Sequence, residues 1–486
     1  MSRVTSALYG GGVKTTTAPT TLPTTLGALV ASGYQSRSIR EELRGNLETR
    51  IKEGRPLSSA VLGYEDTVLP QLETAILAGH DVILLGERGQ AKTRMIRSLT
   101  ELLDEWLPIV AGSDVRDNPF APISVYAQEL IATEGDETPI AWVHRDQRFA
   151  EKLASPDTSM ADLIGEVDPI KVAGGLYLDD PRALSFGLVP KSNRGIFAIN
   201  ELPDLSERIQ VGLLNVLEER DVQIRGHLVR LDLDILVVAT ANPEDYTNRG
   251  RLITPLKDRF GSQIRTHYPL DVATEIAIIK QEAAVPTADR PVTIPWFIDD
   301  IVARVSHVAR QSSAISQKSG VSVRLSIANY ETVVASALRR ALRTGDATVT
   351  PRISDLAAMV QSTQGKIEFD TLDDADGEHI IAALVSLAVR QAFMEYVILD
   401  DVPGILHSFD GEAVIHVGDD LADAAYLEIL ATMPVLRAAA RALFVAEPTD
   451  GELASAAEFI LEGLYLTKRL AKDASGARAL YRTRNR

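Results

Sequence analysis

The segment G-E-R-G-Q-A-K-T, Gly86 to Thr93, directly follows the apolar run Val82-Ile83-Leu84-Leu85. It matches the phosphate-binding pattern G-x-x-x-x-G-K-[ST] at Gly86, Lys92 and Thr93, with Ala91 in place of the second glycine. In such a loop the backbone N–H groups of Glu87, Arg88, Gly89, Gln90 and Ala91 can cradle phosphate. The Lys92 ammonium adds a point charge, and the Thr93 hydroxyl can ligate magnesium. Alanine is the smallest residue after glycine, so close backbone approach survives if Ala91 keeps a negative φ.

A nucleotide-hydrolysing loop also needs an acid at the end of a neighbouring strand. The run R-G-I-F-A-I-N-E-L-P-D-L is the apolar strand here that ends in a carboxylate. Glu201 stands where a general base or water-positioning group is expected, and Asn200 stands where an aspartate would precede it. An amide oxygen can accept a bond from a magnesium-bound water but carries no charge, and outer-shell losses of this kind cost about 10–100-fold in metal affinity or activity. Thr93 and Asn200 are therefore the expected metal-side residues, with weakened hydrolysis.

Several elements must position these residues. From Gly63 to about Pro269 short apolar runs alternate with helical stretches, and D-V-I-L-L-G, P-I-S-V-Y-A, G-I-F-A-I-N and D-I-L-V-V-A-T-A-N are predicted strands. Alternation of this kind implies an α/β fold with a parallel sheet, whose ligands bind beyond the carboxyl ends of the strands. After Pro295 the periodicity turns helical, and from about Leu399 a further segment combines E-A-V-I-H-V-G with Ala-rich helices. The expected divisions are a disordered Thr/Pro-rich tail over 1–25, an N-terminal helical segment over 26–59, a nucleotide-binding core over 60–270, a helical lid over 290–398 and a helical C-terminal extension over 399–486.

The totals narrow the function classes. A chain of 486 residues with 45% hydrophobic and 24% charged residues is an ordinary globular composition. A net charge of −17 argues against a protein that coats nucleic acid, which needs clustered Lys and Arg. The absence of cysteine excludes disulfides, thiolate zinc sites and iron–sulfur clusters. No apolar run is long enough to span a bilayer, and the cytoplasm is the expected location.

The order G-E-R-G-Q-A-K-T, M-A-D-L-I-G-E-V-D-P-I-K-V-A-G-G, L-S-F-G-L-V-P-K-S-N-R-G-I-F-A-I-N-E-L-P-D-L, A-T-A-N-P-E-D, P-L-K-D-R-F-G and S-V-R-L-S-I-A-N-Y-E resembles the AAA+ ATPases of the magnesium-chelatase I-subunit and MoxR group. The resemblance covers roughly Gly63 to Arg343. It implies an AAA+ P-loop parallel-sheet core followed by a helical lid, with ATP and Mg2+ as cofactors, and makes Ala91 an expected P-loop residue. Beside the catalytic Glu201 read above as general base or water-positioning group, it further implies Asn242 as sensor 1, Arg259 as an arginine finger reaching a neighbouring subunit, and Arg324 as sensor 2 of the lid. Arg249 and Arg251 are alternatives for the residue that reaches the neighbouring phosphate. Family analogy adds a homo-oligomeric ring, expected to be a hexamer, and a partner with a von Willebrand factor A domain. The segment Gly174–Pro190 resembles the family's insertion in the second helix, and Asp221–Ile235 its hairpin before sensor 1. The roles implied are an ATP-driven motor that remodels a partner protein, the motor subunit of a tetrapyrrole metal chelatase, or a nucleotide-binding scaffold that hydrolyses little because of Asn200.

Overall fold

The computed structural model describes residues 18–175, 177, 180–218, 231–242, 251–285, 290–316, 320–369, 374–397, 402–409, 414–475 and 478–484. The chain divides into two units, Met1–Glu87 with Ala91–Thr266 and Arg88–Gln90 with His267–Arg486. In the first, the strands in chain order are β1 (Val82–Leu85), β2 (Trp106–Val110), β3 (Ile140–His144), β4 (Phe149–Leu153), β5 (Gly165–Val167), β6 (Leu184–Phe186), β7 (Gly195–Asn200), β8 (Ile235–Ala241) and β9 (Ser262–Arg265). Among the described residues, five of them form one sheet in the order β4-β7-β8-β1-β9, with every pairing parallel. The fold is α/β.

Strand periodicity explains why β1, β7 and β8 carry apolar residues without a break. Val82, Leu84, Ile196, Ala198, Leu236 and Val238 face one core, and Ile83, Leu85, Phe197, Ile199, Val237 and Ala239 face the other. The first core also takes Ile39, Leu43 and Leu47 from the helix Ile39–Lys52, whose Ser38 and Glu41 form a capping box. Buried Glu42 of that helix accepts two bonds of 2.6 Å from the fully buried Arg148 guanidinium. At the start of β7 a glycine is required, because a Cβ on Gly195 would come within 2.2 Å of the Arg148 carbonyl oxygen.

One predicted strand is a correction. P-I-S-V-Y-A enters a helix, Val125–Glu134, because the Ser124 side chain caps it by accepting from Ala127 N at 3.1 Å. The sheet instead gains β4 and β9 at its edges, from the less apolar runs F-A-E-K-L and S-Q-I-R.

The second unit is built on the long helices Trp296–Gln311, Val323–Thr344, Asp374–Tyr396 and Asp450–Leu466. Phe297, Phe393 and Phe459 meet in one core, with Phe297 stacked on Phe459 at a centroid distance of 4.7 Å. A small antiparallel sheet completes this unit: β10 (Ile415–Gly418), β11 (Leu470–Ser475) and β12 (Arg478–Thr483), in the order β10-β12-β11. The C-terminal region is thus helical with a small sheet added. The Ala-rich run before Pro448 forms two helices, Asp423–Thr432 and Pro434–Ala442, since Pro434 has no N–H to continue the first. Among the described residues no helix is long and apolar enough to cross a membrane.

Candidate nucleotide site

Lys92 opens the helix Lys92–Ser98, and the preceding loop reverses direction through two left-handed residues, Gly89 at φ +76° and Ala91 at φ +54°. The expected negative φ at Ala91 is therefore wrong: the alanine occupies the conformation that a glycine would take at that position of the pattern. Gly86 joins the loop to the sheet, its N–H donating to Ala241 O at 3.1 Å. The Lys92 ammonium donates to Gly86 O, to Glu87 O at 2.7 Å and to Asn242 Oδ1 at 3.1 Å, so its three donors meet three acceptors.

The carboxyl ends of β1, β7 and β8 lie side by side, and their last residues assemble the polar site. Thr93 Oγ1 and Thr240 Oγ1 both donate to Asn200 Oδ1 at 3.4 Å. Asn200 and Asn242 are buried, each 7% exposed. Glu201, one residue past the strand, holds φ +55°, and its N–H donates to Thr240 Oγ1 at 2.9 Å. A non-glycine residue held in that region is strained and persists only where its surroundings impose it.

Lys92, Thr93, Asn200, Glu201 and Asn242 thus come together. Arg259 ends the helix Thr254–Arg259 and is 3.6 Å from Asp258. Arg324 lies in the second unit, exposed in the first turn of Val323–Thr344, where its N–H donates to Ser322 Oγ at 3.1 Å. Residues 243–250, including Arg249, and residues 221–230 of the expected hairpin lie outside the described residues, as do 176, 178 and 179 of the expected insertion. Of that insertion, β6 pairs antiparallel with β5.

Two participants were not read from the sequence. Thr240 supports both Asn200 and the Glu201 backbone, and its signal was a lone hydroxyl two residues before Asn242 in an otherwise apolar run. Glu151 of β4 accepts from Asn200 Nδ2 and from Arg97 Nε, the latter at 2.7 Å. Arg97 holds its proton more tightly than usual because of that bond to Glu151. Nothing in the sequence signals Glu151, because the register of β4 against β7 is a tertiary feature.

The oxygens present suit a magnesium ion that arrives with phosphate. Among the described residues no group of three His, Cys, Asp or Glu could hold a metal alone. Magnesium commonly takes one or two protein oxygens, several waters and the phosphates of its substrate. Thr93 offers a hydroxyl and Asn200 an amide oxygen for such a shell.

Residues 175–260 match the Sigma-54 interaction domain. The chain is 29% identical over 231 residues to the magnesium-chelatase 38 kDa subunit of Rhodobacter capsulatus, covering 46% of this chain and 59% of that protein. It is 28% identical over 233 residues to magnesium-chelatase subunit ChlI of a Nostoc species, covering 46% and 58%, and 26% identical over 262 residues to the chloroplastic ChlI-1 of Arabidopsis thaliana, covering 50% and 55%. The chain therefore spans little more than half the length of the relatives it matches. Solved structures similar to it include a complex of subunits BchI and BchD of magnesium chelatase, at 21% identity and a TM-score of 0.34, covering 68% of this chain and 95% of that one. Another is NtrX from Brucella abortus, at 13% identity and a TM-score of 0.39, covering 72% and 67%. By these relatives and the site at the strand ends, the chain is similar to the AAA+ ATPases of the magnesium-chelatase I-subunit group.

Proposed function

We propose that the chain is a ring-forming AAA+ motor that binds Mg·ATP in the Gly86–Thr93 loop, hydrolyses it and uses the cycle to remodel a partner protein. The observation that carries this reading is the convergence of Lys92, Thr93, Asn200 and Asn242 in one hydrogen-bonded group at the carboxyl edge of a parallel sheet, with Glu201 beside it. The loop amides of residues 86–93 and the Lys92 ammonium hold the phosphates, and Thr93 and Asn200 serve the metal. Magnesium, when bound, neutralises charge on the phosphate oxygens. Glu201 accepts the proton of the attacking water, and Asn242 orients that water. Arg259, inserted by a neighbouring copy, stabilises the charge that develops on the transferred group, a contribution worth about 10³–10⁵ in rate. Arg324 acts from the lid.

The oligomer is proposed as a hexamer in the cytoplasm, with a partner that carries a von Willebrand factor A domain. The names of the relatives favour a chelatase motor as one specific form of this reading. A second reading, a nucleotide-binding scaffold that scarcely hydrolyses, is favoured by the neutral Asn200. Calorimetric titration with ATP and magnesium separates nucleotide binding from all else. The wild type should bind and Lys92→Ala should not, whereas a wild type that takes up no ATP would sink the motor and the scaffold alike.

A further inference from the structure

The acidic residue missing from the end of β7 has a counterpart on the next strand. β4 and β7 are parallel neighbours in the register Glu151↔Ala198 and Leu153↔Asn200. From that position the Glu151 carboxylate reaches the Asn200 side chain and accepts a hydrogen bond from Nδ2. Its second oxygen accepts from Arg97 Nε at 2.7 Å, on the helix that also begins with Lys92 and Thr93. Glu151 is itself partly buried, its side chain 20% exposed, while Arg97 is 62% exposed.

We propose that Glu151 is the positioning residue of the metal site: it turns the Asn200 amide so that its oxygen faces Thr93, and lends that oxygen the charge that asparagine lacks. The inference rests on the Mg·ATP reading above. An ionised carboxylate is acceptor-only, so an amide packed against it must present its NH2 group. With Nδ2 committed to Glu151, Oδ1 is the group left for the hydroxyls of Thr93 and Thr240, both at 3.4 Å. A reversed amide would set oxygen against carboxylate and turn N–H groups toward the Thr93 and Thr240 hydroxyls. Hydrogen bonds to a charged acceptor are about twice as strong as neutral ones, and they polarise the amide through which they pass. The pair Glu151–Asn200 thereby does from two strands what a single aspartate would do from one. Arg97 fixes the carboxylate from its solvent side. That exposed ion pair adds little energy by itself.

The test is a magnesium titration of nucleotide binding, read by the fluorescence of N-methylanthraniloyl-ATP on the full chain. A glutamine at 151 can donate as readily as accept, so it no longer dictates the amide. Glu151→Gln should leave nucleotide affinity in EDTA at the wild-type value and raise the magnesium needed for half-saturation by about 10–100-fold. Glu151→Asp keeps the charge but shortens the reach to Asn200, and should raise the magnesium requirement in the same direction. A Glu151→Gln protein that titrates with magnesium like the wild type overturns the inference and leaves the nucleotide site standing. So does a Glu151→Asp protein that titrates with magnesium like the wild type. If Glu151→Gln does not fold, Glu151→Asp alone decides. A wild type that binds no nucleotide overturns both this inference and the motor reading.

Discussion

Ala91 holds a left-handed backbone, φ +54°, in the loop before Lys92. For a residue with a Cβ that conformation costs about 1–2 kcal/mol. Ala91→Gly removes the cost, offset in part by the roughly 0.5–1 kcal/mol of extra chain entropy a glycine loses on folding. The glycine variant should therefore melt at or slightly above the wild-type temperature and keep its ATP affinity. Ala91→Val, branched at Cβ, should weaken ATP binding by about tenfold or more, a difference of roughly 1.4 kcal/mol. A valine variant that binds as the wild type does would show that the loop conformation is not needed. Thr240 offers a second residue-scale test, because its hydroxyl is the acceptor for the strained Glu201 N–H. Leaving a buried donor unpaired costs about 1–3 kcal/mol, so Thr240→Val should slow turnover by about tenfold while ATP affinity stays near the wild-type value. Equal losses in both would assign Thr240 to binding instead. The residues of the candidate site were legible where a motif fixes their spacing, as at Lys92, Thr93, Asn200 and Glu201. Glu151 was not, because it meets Asn200 only through strand register.

Among elements, the helix Val272–Glu282 is locked to two others through one fully buried acid. Glu275 accepts from Arg310 at 2.5 and 2.9 Å and from Ser326, and it lies 3.1 Å from His307 Nε2. Burial raises its pKa, but the hydrogen bonds from His307, Arg310 and Ser326 and the Arg310 charge outweigh burial, and the net shift is downward. A depressed carboxylate stabilises the fold above its unfolded value, and that contribution is lost as pH falls through the folded one. At pH 7, Glu275→Gln should cost about 3–5 kcal/mol, since it leaves a buried cation unpaired. The gap from wild type should narrow as the pH drops through the carboxylate range. Denaturant melts at pH 7 and 4 with the same difference would contradict this account. The same scale explains what the sequence could reveal of the fold. V-I-L-L, G-I-F-A-I-N and I-L-V-V-A-T-A were readable because a central parallel strand is buried on both faces. F-A-E-K-L was not, because an edge strand is half-polar and only its neighbour reveals it. P-I-S-V-Y-A was misread because its β-branched and aromatic residues hid the Ser124 cap.

At the scale of the whole molecule, the region after Leu399 is not an appendage to the second unit. Phe459 stacks on Phe297, and buried Glu458 accepts from Ser354 N at 2.7 Å and from the Tyr426 hydroxyl. Arg352, fully buried, pairs with Asp423 and lies over the Tyr426 ring at 4.3 Å. Truncation before Val402 would expose the Phe297 and Phe393 faces, so the shortened chain should lose its near-ultraviolet circular dichroism from this unit and bind hydrophobic dyes. Retention of a native spectrum would mean that segment 290–398 folds alone. Motor action belongs to this scale too, because Arg259 is proposed to complete the site of a neighbouring copy. The most direct test is steady-state ATP hydrolysis by the purified chain with magnesium, across a range of protein concentration, beside Glu201→Gln. Specific activity that rises with concentration in the wild type and is lost in Glu201→Gln is the predicted result. A wild type that binds ATP yet shows no turnover at any concentration would contradict the motor and leave a nucleotide-binding scaffold.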